Sequence, residues 1–181
     1  MKSNILFEFG DSKSFSILVG MDKSTCGEWM NGYFYMCINS HILGNDSMVS
    51  LRDVMHELEG FIDGRKDRIS GSLFALRATD IFNLITNSLY DIEENPMNSD
   101  GIYDYISQYQ AAGDFRIKPR VQSMSGADIF SVTNNSNIAK IIYSLDRKNI
   151  EELVVNEITI SDSIESAYQY LKEIHDNSDP V

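Results

Sequence analysis

The chain is poor in the residues that build cross-linked or metal-centred folds. Two cysteines in 181 residues, Cys26 and Cys37, are too few for a disulfide framework, and free thiols are expected. The three histidines, His41, His56 and His175, fall in three separate predicted elements, so a zinc site is not expected. No window approaches the roughly 20 apolar residues needed to span a bilayer, and the densest, Phe15 to Val19, is strand-sized. Met1 to Gly10 lacks the apolar stretch and small-residue cleavage site of a secretory signal, so a cytoplasmic location is expected. Without export, the glycosylation patterns at Asn45 and Asn134 carry no meaning. Positive charge is also scarce. Fifteen basic residues face 27 acidic ones, giving a formal net charge of −12, which disfavours direct nucleic-acid contact and binding to an anionic membrane.

What is present is a well-mixed globular sequence, 43% hydrophobic, with aromatic and β-branched residues along its whole length. The pattern predicts an α+β fold: a mainly antiparallel sheet with three to four helices in a single domain over residues 1–176, followed by a flexible C-terminal tail at 177–181. Asn4 to Phe9 and Ser14 to Gly20 flank the turn-forming Gly10-Asp11-Ser12-Lys13 and read as a hairpin. An aromatic third strand is predicted over Glu28 to Ile38, with Asn39-Ser40 turning into a short strand at His41 to Gly44. Ser50 opens the clearest helix, whose Leu51, Val54, Met55, Leu58, Phe61 and Ile62 recur at three-and-four spacing, and Gly64 marks its stop.

Further along, Ser72 to Leu76 reads as a strand or extended connector. Thr79 reads as the cap of a helix carrying Ile81, Phe82, Ile85 and Leu89 inward. Phe115 to Val121 is predicted as an edge strand, since Pro119 cannot donate to a ladder, with Arg116, Lys118 and Arg120 forming a small basic spot. Ile138 to Leu145 and Ile150 to Glu157 form a second hairpin. A last helix is predicted from Ser161, with Ile164, Ala167, Tyr168, Leu171 and Ile174 on one stripe.

The search for chemistry points away from catalysis. Gly20-Met21-Asp22-Lys23-Ser24 lacks the glycine that a phosphate loop places before its lysine, and Asp22 would repel a phosphate. There is no Gly-x-Ser-x-Gly elbow, and both thiols sit in or beside an aromatic strand. Carboxylate pairs such as Glu93-Glu94 and Glu151-Glu152 read as solvated charges in so acidic a chain. No catalytic residue, cofactor or metal is expected. The signal that stands out is the stretch from Asp91 to Tyr109, where Glu93, Glu94, Asp100 and Asp104 interleave with Tyr103 and Tyr105. Tyrosine joins a rigid apolar body to a polar tip, and carboxylates steer cationic partners, so these six are the candidate contacts with a basic protein. The competing reading puts the tyrosines in the core and the carboxylates on a solvated face.

Gly27-Glu28-Trp29-Met30-Asn31-Gly32-Tyr33-Phe34, followed by Gly44 and Ser50-Leu51-Arg52-Asp53-Val54, resembles the bacterial polymorphic-toxin immunity protein 42 family. The resemblance covers mainly the first half of the chain. It implies a cytosolic protein that binds and neutralises the toxin domain of a contact-dependent growth inhibition or related system, without enzymatic turnover. Many such toxins are nucleases with basic substrate surfaces, which an acidic inhibitor complements. Trp29 and Gly32 read as scaffold, the glycine permitting a bulge or a close backbone approach. Two other classes stay open. A small hydrolase or transferase would show a deep pocket with strongly shifted carboxylates, and a non-toxin adaptor would lack a toxin gene as neighbour.

Overall fold

The computed structural model describes residues 6–22, 30–90 and 99–177. The chain divides into two compact units: Met1–Asp63 with Pro119–Ala127 and Ile158–Val181, and Gly64–Lys118 with Asp128–Glu157. Both combine helices with antiparallel sheet, so the class is α+β, with four α-helices among the described residues.

The first unit is built on a five-stranded sheet in which β1 (Leu6–Gly10), β2 (Phe15–Met21), β3 (Asn31–Ile38) and β4 (His41–Leu43) follow in order, and β5 (Val49–Ser50) pairs with β3. The β1–β2 turn closes where expected. Asp11 accepts from the Lys13 amide through its carboxylate and from the Ser14 amide through its carbonyl. Asn39 and Ser40 both adopt positive φ, 51° and 66°, the two-residue hairpin conformation that matches strand twist. Phe15, Ile17 and Val19 of β2 and Phe34, Met36 and Ile38 of β3 alternate onto one fully buried face.

Two helices cover that face. α1 (Leu51–Asp63) starts as predicted, the Asp53 amide donating to Ser50 Oγ at 3.2 Å, and buries Leu51, Val54, Met55 and Leu58. Gly32 lets it approach: a β-carbon there would run into the Gly20 carbonyl and lie 2.6 Å from Leu51 Cδ1. The chain does not leave the helix cleanly at Gly64 but tightens into a 3₁₀ turn through Arg68. α4 (Glu157–Asp176) stacks Tyr170 against Phe7 and Phe9, with ring centroids 5.0 and 5.2 Å away. It begins four residues before Ser161, because Glu157 is anchored: its amide donates to the Asn137 carbonyl, and its buried carboxylate pairs with Arg65. Tyr168 donates to Glu59 at 2.8 Å, tying α4 to α1.

The second unit holds a three-stranded antiparallel sheet of β6 (Asp128–Thr133), β7 (Ile138–Ser144) and β8 (Glu151–Asn156). The predicted hairpin is β7–β8, and β6 is an additional strand paired with β7 over six residues. Phe130, Val132 and Ile142 pack on Ile81, Phe82 and Ile85 of a helix running Ala78–Tyr90, α3 in chain order. The predicted extended segment at Ser72 to Leu76 is instead a short helix, α2 (Gly71–Phe74), because Ser70 caps it by accepting from the Leu73 amide, and Leu73 is drawn into the core. Thr79 is not the cap of α3 but an exposed residue of its first turn, where Arg77 and Asp80 form the ion pair. The predicted edge strand at Phe115 to Val121 is likewise absent. A 3₁₀ turn, Ala112–Phe115, comes first, and the sheet is touched only by a single bridge from Arg116 to Phe130 and the Ile117 amide donating to Ile129. Pro119 leaves no donor to extend the ladder.

Candidate functional site

Part of the acidic, tyrosine-rich stretch lies outside the described residues, Glu93 and Glu94 with it. The described part begins with a 3₁₀ helix, Ser99–Asp104, which starts with Ser99 and Asp100. Ile102 is fully buried against α3, and Gly101 lies close to Leu84, so this turn is seated on the core of the second unit. Seating Ile102 leaves Tyr103, 54% exposed, and Asp104 facing solvent. Tyr105 turns back: its ring packs on the core, and its carbonyl accepts from the Ser70 and Ser72 hydroxyls at 2.6 and 2.9 Å.

The following turn is held as firmly. Gln110 accepts from the Ser107 amide at 2.8 Å and donates to the carbonyls of Asp67 and Ile69. Between these anchors Tyr109 is 87% exposed. The segment thus presents two tyrosine rings and a carboxylate on a backbone pinned by side-chain hydrogen bonds, which lowers the ordering cost of using them as contacts. Tyr109, outside the six candidates, is the most exposed tyrosine among the described residues. Its signal is position, as the one tyrosine of the stretch beside Gln-Ala-Ala-Gly, where no apolar periodicity calls it inward.

A second cluster centres on buried Asp128. One carboxylate oxygen accepts from the Tyr90 hydroxyl at 2.9 Å and lies 3.6 Å from Lys118 Nζ, and the other accepts from Arg147 Nε at 2.8 Å. The Arg147 guanidinium stacks on the Tyr90 ring at 4.4 Å, and Arg116 reaches the Tyr90 hydroxyl at 3.4 Å. Burial lowers the Lys118 pKa, and Asp128 opposes the shift. Burial and then the Asp128 bond raise the Tyr90 pKa. The predicted basic spot is accordingly not an open patch: Lys118 is buried on Asp128, Arg116 turns to Tyr90, and Arg120 pairs with Glu57 in the first unit at 3.0 Å. The arrangement links β6 and the β7–β8 turn to α3 through Asp128, Arg147 and Tyr90.

Other titratable groups have plain structural roles. Cys37 is buried on β3, with burial raising its thiol pKa, while Cys26 and Trp29 lie outside the described residues. His56 is exposed on α1 between buried Met55 and Leu58, 3.8 Å from Glu59, and His175 lies 3.4 Å from Asp176. Asp146 closes the β7–β8 turn by accepting from the Lys148 and Asn149 amides, which lowers its pKa to about 2. Among the described residues no group of histidine, cysteine and carboxylate side chains is arranged to hold a metal, and no helix is long and apolar enough to cross a membrane.

Negative charge is unevenly divided. The first unit spans fourteen acidic and six basic residues, the second thirteen and nine. In the first unit the outer sides of α1 and α4 carry exposed Asp53, Glu59, Asp63, Asp162, Glu165, Glu173 and Asp176.

No curated protein matches the chain in sequence. The fold is similar to that of a crystal structure of CdiI from Burkholderia dolosa AUO158, with a TM-score of 0.69 over 91% of this chain and 99% of that one, at 16% identity. A family model described as Immunity protein 42 matches residues 5–170, and the chain belongs to that family.

Proposed function

We propose that this protein is the immunity partner of a contact-dependent growth inhibition toxin: a cytoplasmic inhibitor that binds one cognate toxin domain and blocks it without turnover. The observation that carries this reading is family membership over residues 5–170, and the fold shared with a CdiI protein supports it. The charge distribution favours a cationic toxin surface such as that of a nuclease, since a face of one sign raises encounter rates by about 10- to 10³-fold. Tyr103 and Asp104, held on the seated 3₁₀ turn and supported by Tyr105, form one part of the contact, with Asp100, Glu93 and Glu94 from the same stretch.

Co-expression with the toxin domain encoded by the adjoining gene tests the function. Cells carrying both genes are expected to survive, and the two chains to co-purify in a 1:1 ratio; death of those cells, or purification of the chains apart, refutes the proposal. The contact has its own test. Reversing Glu93, Glu94, Asp100 and Asp104 to lysine is expected to slow association at least about tenfold at low salt and to flatten its salt dependence, while circular dichroism stays unchanged. Stopped-flow kinetics identical to the parent would remove this stretch from the interface.

A further inference from the structure

A stable heterocomplex buries about 800 Å² on each partner. Strand register defines a candidate surface of that kind in the first unit. The helices α1 and α4 cover the face of the five-stranded sheet that carries Phe7, Phe9, Phe15, Ile17, Val19, Phe34 and Met36. Pleating sends the intervening residues to the opposite side. There Leu6, Gly20 and Tyr33 form one row, Glu8, Leu18 and Tyr35 the next, and Ile42 follows beside Cys37.

That side is not sealed. Leu6 is 45% and Ile42 60% exposed, Glu8 is exposed, and Leu18, Tyr33 and Tyr35 are half-buried. Exposed apolar groups alternating with tyrosine are what the centre of a protein interface contains. At one rim Asp46 accepts from the Tyr35 hydroxyl at 2.9 Å; burial and this bond push the tyrosine up to about 12, so it remains a donor at any physiological pH. Glu8 and Asp46 carry negative charge here, and among the described residues of these rows there is no lysine or arginine.

We infer that this sheet face is a docking surface for a positively charged segment of the partner, in which aliphatic and aromatic groups pack on Leu6, Leu18 and Tyr33 while lysine or arginine meets Glu8 and Asp46. The identity of that partner as the toxin domain rests on the function proposed above. A second copy of this chain is a poor occupant, because the described residues of this face offer no lysine or arginine to meet the other copy's Glu8 and Asp46. An anionic lipid surface is repelled by the same two carboxylates.

The test uses the full chain and the adjoining gene's toxin domain. Hydroxyl-radical footprinting is expected to show Leu6, Tyr33 and Ile42 protected at least about threefold in the complex. The double variant Glu8→Lys/Ile42→Lys alters two exposed positions and is expected to weaken binding at least about tenfold by calorimetry, with the parent's thermal unfolding retained. A complex that forms with no protection on this face overturns the inference and leaves the toxin reading intact. Absence of any complex with the parent protein ends both. Should the double variant unfold, the footprint of the parent protein decides.

Discussion

Asp128→Ala is expected to destabilise the protein by about 3–5 kcal/mol, because it leaves the Lys118 ammonium buried without its carboxylate and strips the acceptor from Tyr90 and Arg147. Lys118 and Asp128 side chains are only 11% and 6% exposed, so solvent does little to replace the lost partner. Equilibrium urea unfolding at neutral pH measures the loss. Adding Lys118→Met to Asp128→Ala is expected to recover part of it, since removing both charges of a buried pair costs less than removing one. A single variant within about 1 kcal/mol of the parent would mean that water reaches the cluster and that it does not organise the second unit.

Phe130→Ala is expected to cost about 3–5 kcal/mol for a different reason, namely an unfilled cavity. The ring is fully buried, meets Phe82 edge-on at 5.5 Å, and faces α3 from the middle of β6. Thermal unfolding should fall accordingly. Tyr103→Ala, on an exposed ring, should stay within about 0.5 kcal/mol of the parent. The pair separates two ways of losing protection in a cell. The core variant is expected to reduce the folded population, while the surface variant is expected to leave that population whole and, on the proposed function, to act on binding alone. If the two behaved alike in unfolding, Tyr103 would be part of the core and lose its place as a contact.

Elements whose signal is local were legible in the sequence. The α1 stripe, the Asn39-Ser40 turn and the β7–β8 hairpin are each specified by residues within a few positions of one another. Misreadings arose where a distant partner decides. Residues 72–76 are β-neutral on their own, and a helix forms because Ser70 caps it and Leu73 finds a pocket made by α3 and β6. Asp128–Thr133 carries a strand-like Ile-Phe-Ser-Val run, yet its leading aspartate reads as loop until Lys118, Tyr90 and Arg147 surround it. Glu157 stands in the sequence only as the end of a predicted strand, and Arg65, 92 positions earlier, reveals it as an anchor. Of the candidate contacts, Tyr103 and Tyr105 could not be told apart by composition. Ile102 between α3 and solvent fixes which ring faces out.

The ring contacts between Phe7, Phe9 and Tyr170 join positions more than 160 residues apart, and they close the first unit's core around its opening hairpin. During synthesis β1, β2 and β3 leave the ribosome long before α4, so the part of their apolar face that α4 covers, Phe7 and Phe9 included, waits exposed while the second unit is being made. Contacts of such long range also slow the search for the native state. A chain cut short ahead of α4 lacks the Tyr170 ring that packs on Phe7 and Phe9, and it is expected to expose apolar surface that favours aggregation.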